Sequence, residues 1–143
     1  MNRNEMKIEF GSDPRNESFA RVVVASFMTR TNPTLEEVAD VKTAVSEAVT
    51  NSIIHGYGQK EGTIEIRAYI EERKLYIEIT DYGCGIEDVE KAMEPMFTTG
   101  KDGRSGMGFS FMEAFMDELT VESAPGKGTT VKMAKKIGAG CAV

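Results

Sequence analysis

Residues 63–80 constrain the fold more than any other stretch of this chain. "TIEIRAYI" (63–70) and "KLYIEIT" (74–80) place apolar side chains at alternate positions, and a short charged turn separates them. Period-two alternation puts the apolar set on one face of a strand and the polar set on the other. Two such strands joined by so tight a turn form an antiparallel hairpin with one buried face. That face needs a second layer.

The flanking segments supply it. "MKIEF" (6–10) alternates like a short strand. "SDPRNESF" opens a helix that runs to about Thr31: Ser12 or Asp13 is placed to cap it, Pro14 suits the first turn, and Glu17 lies near the capping-box position. "TNP" breaks it. A second helix starts at Thr34, with Glu37 three residues on, and ends at "HGYG", where Gly56 fits a left-handed cap. Its apolar stripe is Val38, Val41, Val45, Ala48, Val49 and Ser52. A glycine-rich stretch (81–108) follows the hairpin, with one short helix near 87–92. Residues 109–117 read as a helix, and 118–124 and 128–136 as a second hairpin around "PGKG". The order of elements excludes the βαβαβ alternation of a doubly wound fold. It predicts an α+β two-layer sandwich, a mostly antiparallel sheet covered on one face by helices.

The 143 residues favour one domain, expected over 1–136, with 137–143 a frayed tail. No apolar run approaches the ~18–20 residues of a membrane helix. The N-terminus "MNRNEMKIEF" lacks the apolar core of an export signal. Cys84 and Cys141 make no disulfide framework, so a cytoplasmic location is expected. Net charge is −6 and the lysines and arginines are scattered, which argues against direct nucleic-acid contact. Nine Met and seven Phe with no Trp suggest an adaptable core and a partner-binding surface.

Within "SEAVTNSIIHGY" (46–57), Glu47 and Asn51 sit one turn apart on the side of the helix away from its main apolar stripe. One reading is a polar face toward solvent. However, the neighbours on that side are Thr43, Ala44, Thr50 and Ile54, where a solvent face normally carries several charges. The other reading is a covered cleft, in which Asn51 offers a neutral oxygen ligand to a hard cation such as Mg²⁺ and Glu47 orients a hydroxyl or a water. His55, at the helix end, reads as a capping or packing residue or as a catalytic one.

The glycine segments match neither the Walker pattern nor the dinucleotide fingerprint. Ser105, Gly106, Met107 and Gly108 nonetheless run straight into a helix, where exposed backbone N–H groups and the helix dipole favour an anion. A plain surface loop is the alternative. Residues 97–104 are placed to close as a lid, with Lys101 and Arg104 facing phosphates. Asp81 continues the inward parity of Leu75, Ile77 and Ile79 and needs a donor partner there. An adenine amine would serve, with Gly83 and Gly85 admitting a flat ring; a turn aspartate bonding its own backbone is the alternative. In the last strand, parity points Thr129 inward, toward the same ring, and Thr130 outward.

As a set, Glu47-x-x-x-Asn51, Asp81-x-Gly83-x-Gly85, Gly103–Gly108 and Gly128-Thr129 resemble the Bergerat-type ATP-binding fold shared by gyrase, Hsp90, histidine kinases and MutL. "NESFAR" (16–21), "VSEAVTNSIIHGY" (45–57), "FTT" (97–99), "RSGMGF" (104–109), "FMDELTVES" (115–123) and "GKGTTV" (126–131) narrow the resemblance. They are similar to the bacterial anti-sigma factors that are also serine kinases, in particular the sporulation branch acting on sigma-F. The resemblance covers residues 5–136. It implies that Asn51 coordinates Mg²⁺ bridging the phosphates of ATP, and that Glu47 is the base toward a substrate serine. Asp81 would read the adenine amine, with Gly83, Gly85, Thr129 and Thr130 in the same set. Thr98, Thr99, Lys101, Arg104, Ser105, Gly106, Met107 and Gly108 would hold phosphates under the lid. It further implies an anti-anti-sigma protein as phospho-acceptor, a sigma factor as a second partner, a homodimer, and Arg21 on the surface offered to partners. "TTGKDGRSG" departs from the family's lid by being shorter and richer in glycine.

Four other readings compete. A non-catalytic ATP-gated sigma-binding module is one, and a general-stress anti-sigma kinase of the same family is another. A histidine-kinase catalytic domain should follow a hairpin with a phospho-acceptor histidine, and His55 is the only histidine. Gyrase- or MutL-like ATPases carry a transducer domain, for which the chain has no room.

Overall fold

A computed structural model of the protein describes residues 3–58, 60–93 and 108–138. Five strands form one sheet: β1 (Asn4–Gly11), β2 (Thr63–Glu71), β3 (Lys74–Asp81), β4 (Glu118–Ser123) and β5 (Thr129–Lys136). Their order is β1-β2-β3-β5-β4, and every neighbouring pair is antiparallel. Four α-helices, α1 (Asn16–Met28), α2 (Leu35–Asn51), α3 (Val89–Met93) and α4 (Gly108–Phe115), a 3-10 turn (Thr29–Thr31) and a π-helical turn (Ser52–Gly56) complete the described elements. The α+β two-layer architecture expected from the alternation is the one found.

The central hairpin turns through Glu72 and Arg73, with φ of 51° and 65°. Both values are left-handed, the geometry that matches strand twist but strains residues other than glycine. Tertiary bonds hold Arg73 in place. Its carbonyl accepts from the Ile137 N–H at 2.9 Å, and its guanidinium donates to the Thr31 carbonyl at 3.4 Å.

The inward row of the sheet is Ile64, Ile66 and Ala68 on β2, Leu75, Ile77 and Ile79 on β3, and Val131 and Met133 on β5, all buried. It packs on Ala20, Val24 and Met28 of α1, on Val41, Val45, Ala48 and Val49 of α2, and on Met112 of α4. Each large side chain moved out of water there contributes about 1.5–3 kcal/mol. The other sheet face carries cross-strand ion pairs such as Lys7–Glu65 (3.4 Å) and Lys132–Glu122 (3.2 Å), and a stacked Tyr69–Tyr76 pair.

Helix α2 begins with a complete capping box. The Thr34 hydroxyl accepts from the Glu37 N–H at 3.0 Å, and the Glu37 carboxylate accepts from the Thr34 N–H at 2.9 Å. The start of α1 differs from expectation. Arg15 holds the cap position and makes no side-chain cap bond. Ser12 instead donates to the Lys60 carbonyl and accepts from the Gly62 N–H, which ties the turn after β1 to the start of β2. Asp13 accepts from the Arg15 N–H at 2.8 Å and pairs with its guanidinium. That pairing holds the Asp13 carboxyl well below its ordinary 3.8, at about 2.

The chain stays engaged past β5, where a frayed tail was expected to begin. Ile137 is buried, and the Gly138 N–H donates to both carboxylate oxygens of Glu37 at 3.2 and 3.1 Å. Residues 139–143 lie outside the described residues. No described helix is long and apolar enough to cross a membrane.

Candidate nucleotide site

The C-terminal ends of α2 and β3 meet at one end of the molecule. Between them opens a pocket of about 220 Å³, lined by Asn51, Ser52, Asp81, Gly85 and Thr129 at its polar end. Ala48, Ile86, Ala92, Phe109 and Val131 form apolar walls. Pockets that hold whole drug-sized ligands run to about 300–1,000 Å³, so this one is small by comparison.

Asp81 is 3% exposed, which confirms its inward parity. Its Oδ1 accepts from the Gly83 N–H at 3.0 Å, the local turn bond weighed from the sequence. The hydrogen bonds of the described residues engage that oxygen alone, so Oδ2 remains for a donor in the pocket. Thr129 is directly opposite Asp81 in the β3–β5 register and is 9% exposed. Thr130 points to the other face of the sheet, where its hydroxyl lies 3.1 Å from that of Thr80. The structure therefore brings Thr129 to the pocket and leaves Thr130 out of it, because side chains alternate along a strand.

The structure gives the glycines a packing job as well. A Cβ on Gly83 would sit 2.0 Å from the carbonyl oxygen of Gly56, and the Cys84 N–H donates to that same oxygen at 2.8 Å. Gly83 thus lets the chain leaving β3 dock on the π-helical turn Ser52–Gly56 that ends α2. Gly85 has φ +78° and borders the pocket, and a Cβ there would strike the Ala124 carbonyl at 1.9 Å. These glycines build the pocket by chain-on-chain packing.

Glu47 and Asn51 are half-buried, and Ala44 on their side of α2 is fully buried. What covers that side is the start of α4. A Cβ placed on Gly108 would lie 3.2 Å from Asn51 Nδ2, 3.3 Å from its Oδ1 and 3.5 Å from Glu47 Oε1. The covered-cleft reading is the one that the structure supports. Glu47, Asn51 and the first residue of α4 converge, and Asn51 lines the pocket as well. Thr98, Thr99, Lys101, Arg104, Ser105, Gly106 and Met107, expected to hold phosphates, lie outside the described residues.

His55 is exposed at the pocket edge. Arg21 does not line this pocket; on α1 it pairs with Glu17 at 3.4 Å, and Glu17 also accepts from the Ser46 hydroxyl at 2.7 Å. Phe19 and Val22 beside it are 51% and 57% exposed.

Two residues that brace the site lie in stretches that carry the resemblance, but nothing in the sequence assigns them a role. Ser123 accepts from the Ile86 N–H and touches both the Gly128 carbonyl and the Thr129 hydroxyl. Tyr57 accepts from the Tyr82 N–H at 2.8 Å and donates to the Thr63 carbonyl, bracing the chain just after Asp81. Both depend on contacts between distant segments, which local pattern does not carry.

Comparison with known proteins agrees with this architecture. Residues 10–135 match the family described as the histidine kinase-like ATPase domain. The chain is 61% identical over 136 residues to the anti-sigma F factor of Caldanaerobacter subterraneus subsp. tengcongensis, covering 94% of this chain and 95% of that protein. It is 58% identical over 137 residues to the anti-sigma F factor of Clostridium acetobutylicum, covering 95% and 96%. A solved structure of the RsbU and RsbW domains of a Mycobacterium tuberculosis protein superposes with a TM-score of 0.69 at 18% identity, over 94% of this chain and 32% of that one. The mycobacterial sensor histidine kinase MprB gives 0.57 at 16% identity, over 92% and 97%. At those identities the structural likeness is one of fold. The chain belongs to the histidine kinase-like ATPase domains and, among them, to the anti-sigma F factors.

Proposed function

We propose that the chain is an ATP-dependent protein-serine kinase that phosphorylates an anti-anti-sigma protein and, as a homodimer, also binds and inhibits sigma-F. The observation that carries the catalytic part is the convergence of Glu47 and Asn51 on Gly108, beside a pocket with a buried carboxylate at its base. The relatives' names support the sigma-factor part.

The pocket takes the adenine, with its amine donating to Asp81 Oδ2. The phosphates then run past Asn51 toward the start of α4, where unpaired backbone N–H groups favour negative charge. Mg²⁺ fits this arrangement. Among the described residues no three or more His, Cys, Asp or Glu side chains cluster as a metal cage. Asn51 gives one neutral oxygen, which matches an ion that keeps most of its ligands as water and phosphate. When bound, it neutralises phosphate charge. Glu47 takes the proton of the substrate serine as its oxygen bonds to the γ-phosphorus; the bond to the β-phosphate oxygen breaks and ADP leaves. Arg21, with Phe19 and Val22 exposed beside it, forms part of the partner surface.

The test incubates the protein with labelled ATP, Mg²⁺ and a candidate anti-anti-sigma protein, and maps the modified residue. Phosphoserine on the acceptor is expected. Nucleotide binding without any transfer would replace the kinase by an ATP-gated binding module.

A further inference from the structure

Asp81, Thr129 and Ser123 form one row across three strands. Register pairs Asp81 with Thr129 and Thr129 with Ser123, so the three side chains share the inward face. Around the Ser123 oxygen the contacts are close: the Ile86 N–H at 2.7 Å, the Gly128 carbonyl at 2.7 Å and the Thr129 hydroxyl at 2.8 Å.

Only one proton arrangement satisfies all three. A carbonyl only accepts, so Ser123 must spend its single O–H proton on Gly128. The Ile86 N–H fills one lone pair of Ser123. The other is left for Thr129, which must therefore donate to Ser123. The Thr129 oxygen then has no proton left for the pocket and can only accept there. Asp81, one strand over, is an acceptor too.

We infer that Ser123 is a positioning residue for base selectivity: it commits the Thr129 proton and leaves the Asp81–Thr129 pair with acceptors only. This rests on the nucleotide reading of the pocket above. Adenine meets two acceptors with the two protons of its 6-amine. A 6-oxo purine such as hypoxanthine turns its O6 lone pairs toward these two acceptors, and neither can donate to it. Without the Ser123 hydroxyl, Thr129 is free to rotate and donate to O6.

The test is calorimetric binding of ADP and of IDP, whose bases differ at the 6-position and N1, to wild type, Ser123→Ala, Ser123→Cys and Ser123→Thr. Wild type is expected to prefer ADP. Ser123→Ala should narrow the ADP:IDP affinity ratio by at least about fivefold, the worth of one neutral hydrogen bond. Ser123→Cys, a weaker donor of similar size, should narrow it in the same direction and covers the case in which the alanine variant does not fold. Ser123→Thr, which keeps the hydroxyl, should preserve it. Equal losses for both nucleotides would make Ser123 merely structural and overturn the inference while leaving the nucleotide reading intact. Failure of wild type to bind either nucleotide would overturn both.

Discussion

A single carboxylate illustrates how much one position carries. Asp81 is buried at the end of a strand, bonded through one oxygen to the Gly83 N–H and open to the pocket through the other. Replacing it by asparagine puts an amide where a charged acceptor stood. Bonds to a charged group contribute about 1.5–3 kcal/mol, so Asp81→Asn should weaken ADP binding by roughly ten- to a hundredfold in calorimetry. Unchanged affinity would remove Asp81 from the base site. The inward parity of Asp81 was legible because it continues Leu75, Ile77 and Ile79. The purpose of Gly83 was not, because only the neighbouring Gly56 carbonyl, 27 positions earlier in the chain, makes a side chain impossible there.

Among the elements, α2 organises the molecule, and its two ends do different work. The N-terminal end is a capping box whose Glu37 also receives the Gly138 N–H, so one carboxylate fixes both the helix start and the chain after β5. Thr34→Ala should cost about 1 kcal/mol in denaturant unfolding. Glu37→Ala should cost more, since it also leaves Gly138 without its acceptor; equal losses would mean that the second contact contributes nothing. The turn before α1 adds a pH signature. The Asp13 pKa is lowered on folding, so the stability it contributes is complete above its ordinary 3.8 and is lost as pH falls toward about 2. Thermal unfolding of Asp13→Asn should therefore track wild type less steeply between those values. A variant with an identical slope there would show that the clasp is not coupled to folding. "S/T-x-x-E" spelled out the α2 cap correctly. The same logic at Ser12 and Asp13 misplaced the α1 cap, because Ser12 is engaged by Lys60 and Gly62, almost fifty positions away.

For the whole molecule, strict alternation at 63–80 demanded a second layer, and the order of the flanking elements made it a helical one. What alternation does not state is which strand of the second hairpin meets the first. The β3–β5 pairing sets Thr129 opposite Asp81, and the β4–β5 pairing adds Ser123 to the row. The polar row of the pocket exists through that long-range register. Similarly, scarcity of charge beside Glu47 and Asn51 signalled a covered face, while the identity of its cover, the start of α4, needed the fold. In the proposed mechanism Glu47 is the base, and other residues bind the nucleotide. The most direct test of that division is the single-turnover rate of phosphoserine formation on an anti-anti-sigma acceptor by ATP-loaded Glu47→Gln protein. Loss of a general base predicts a rate lower by about a hundredfold or more at unchanged ATP occupancy. Transfer at the wild-type rate would contradict it.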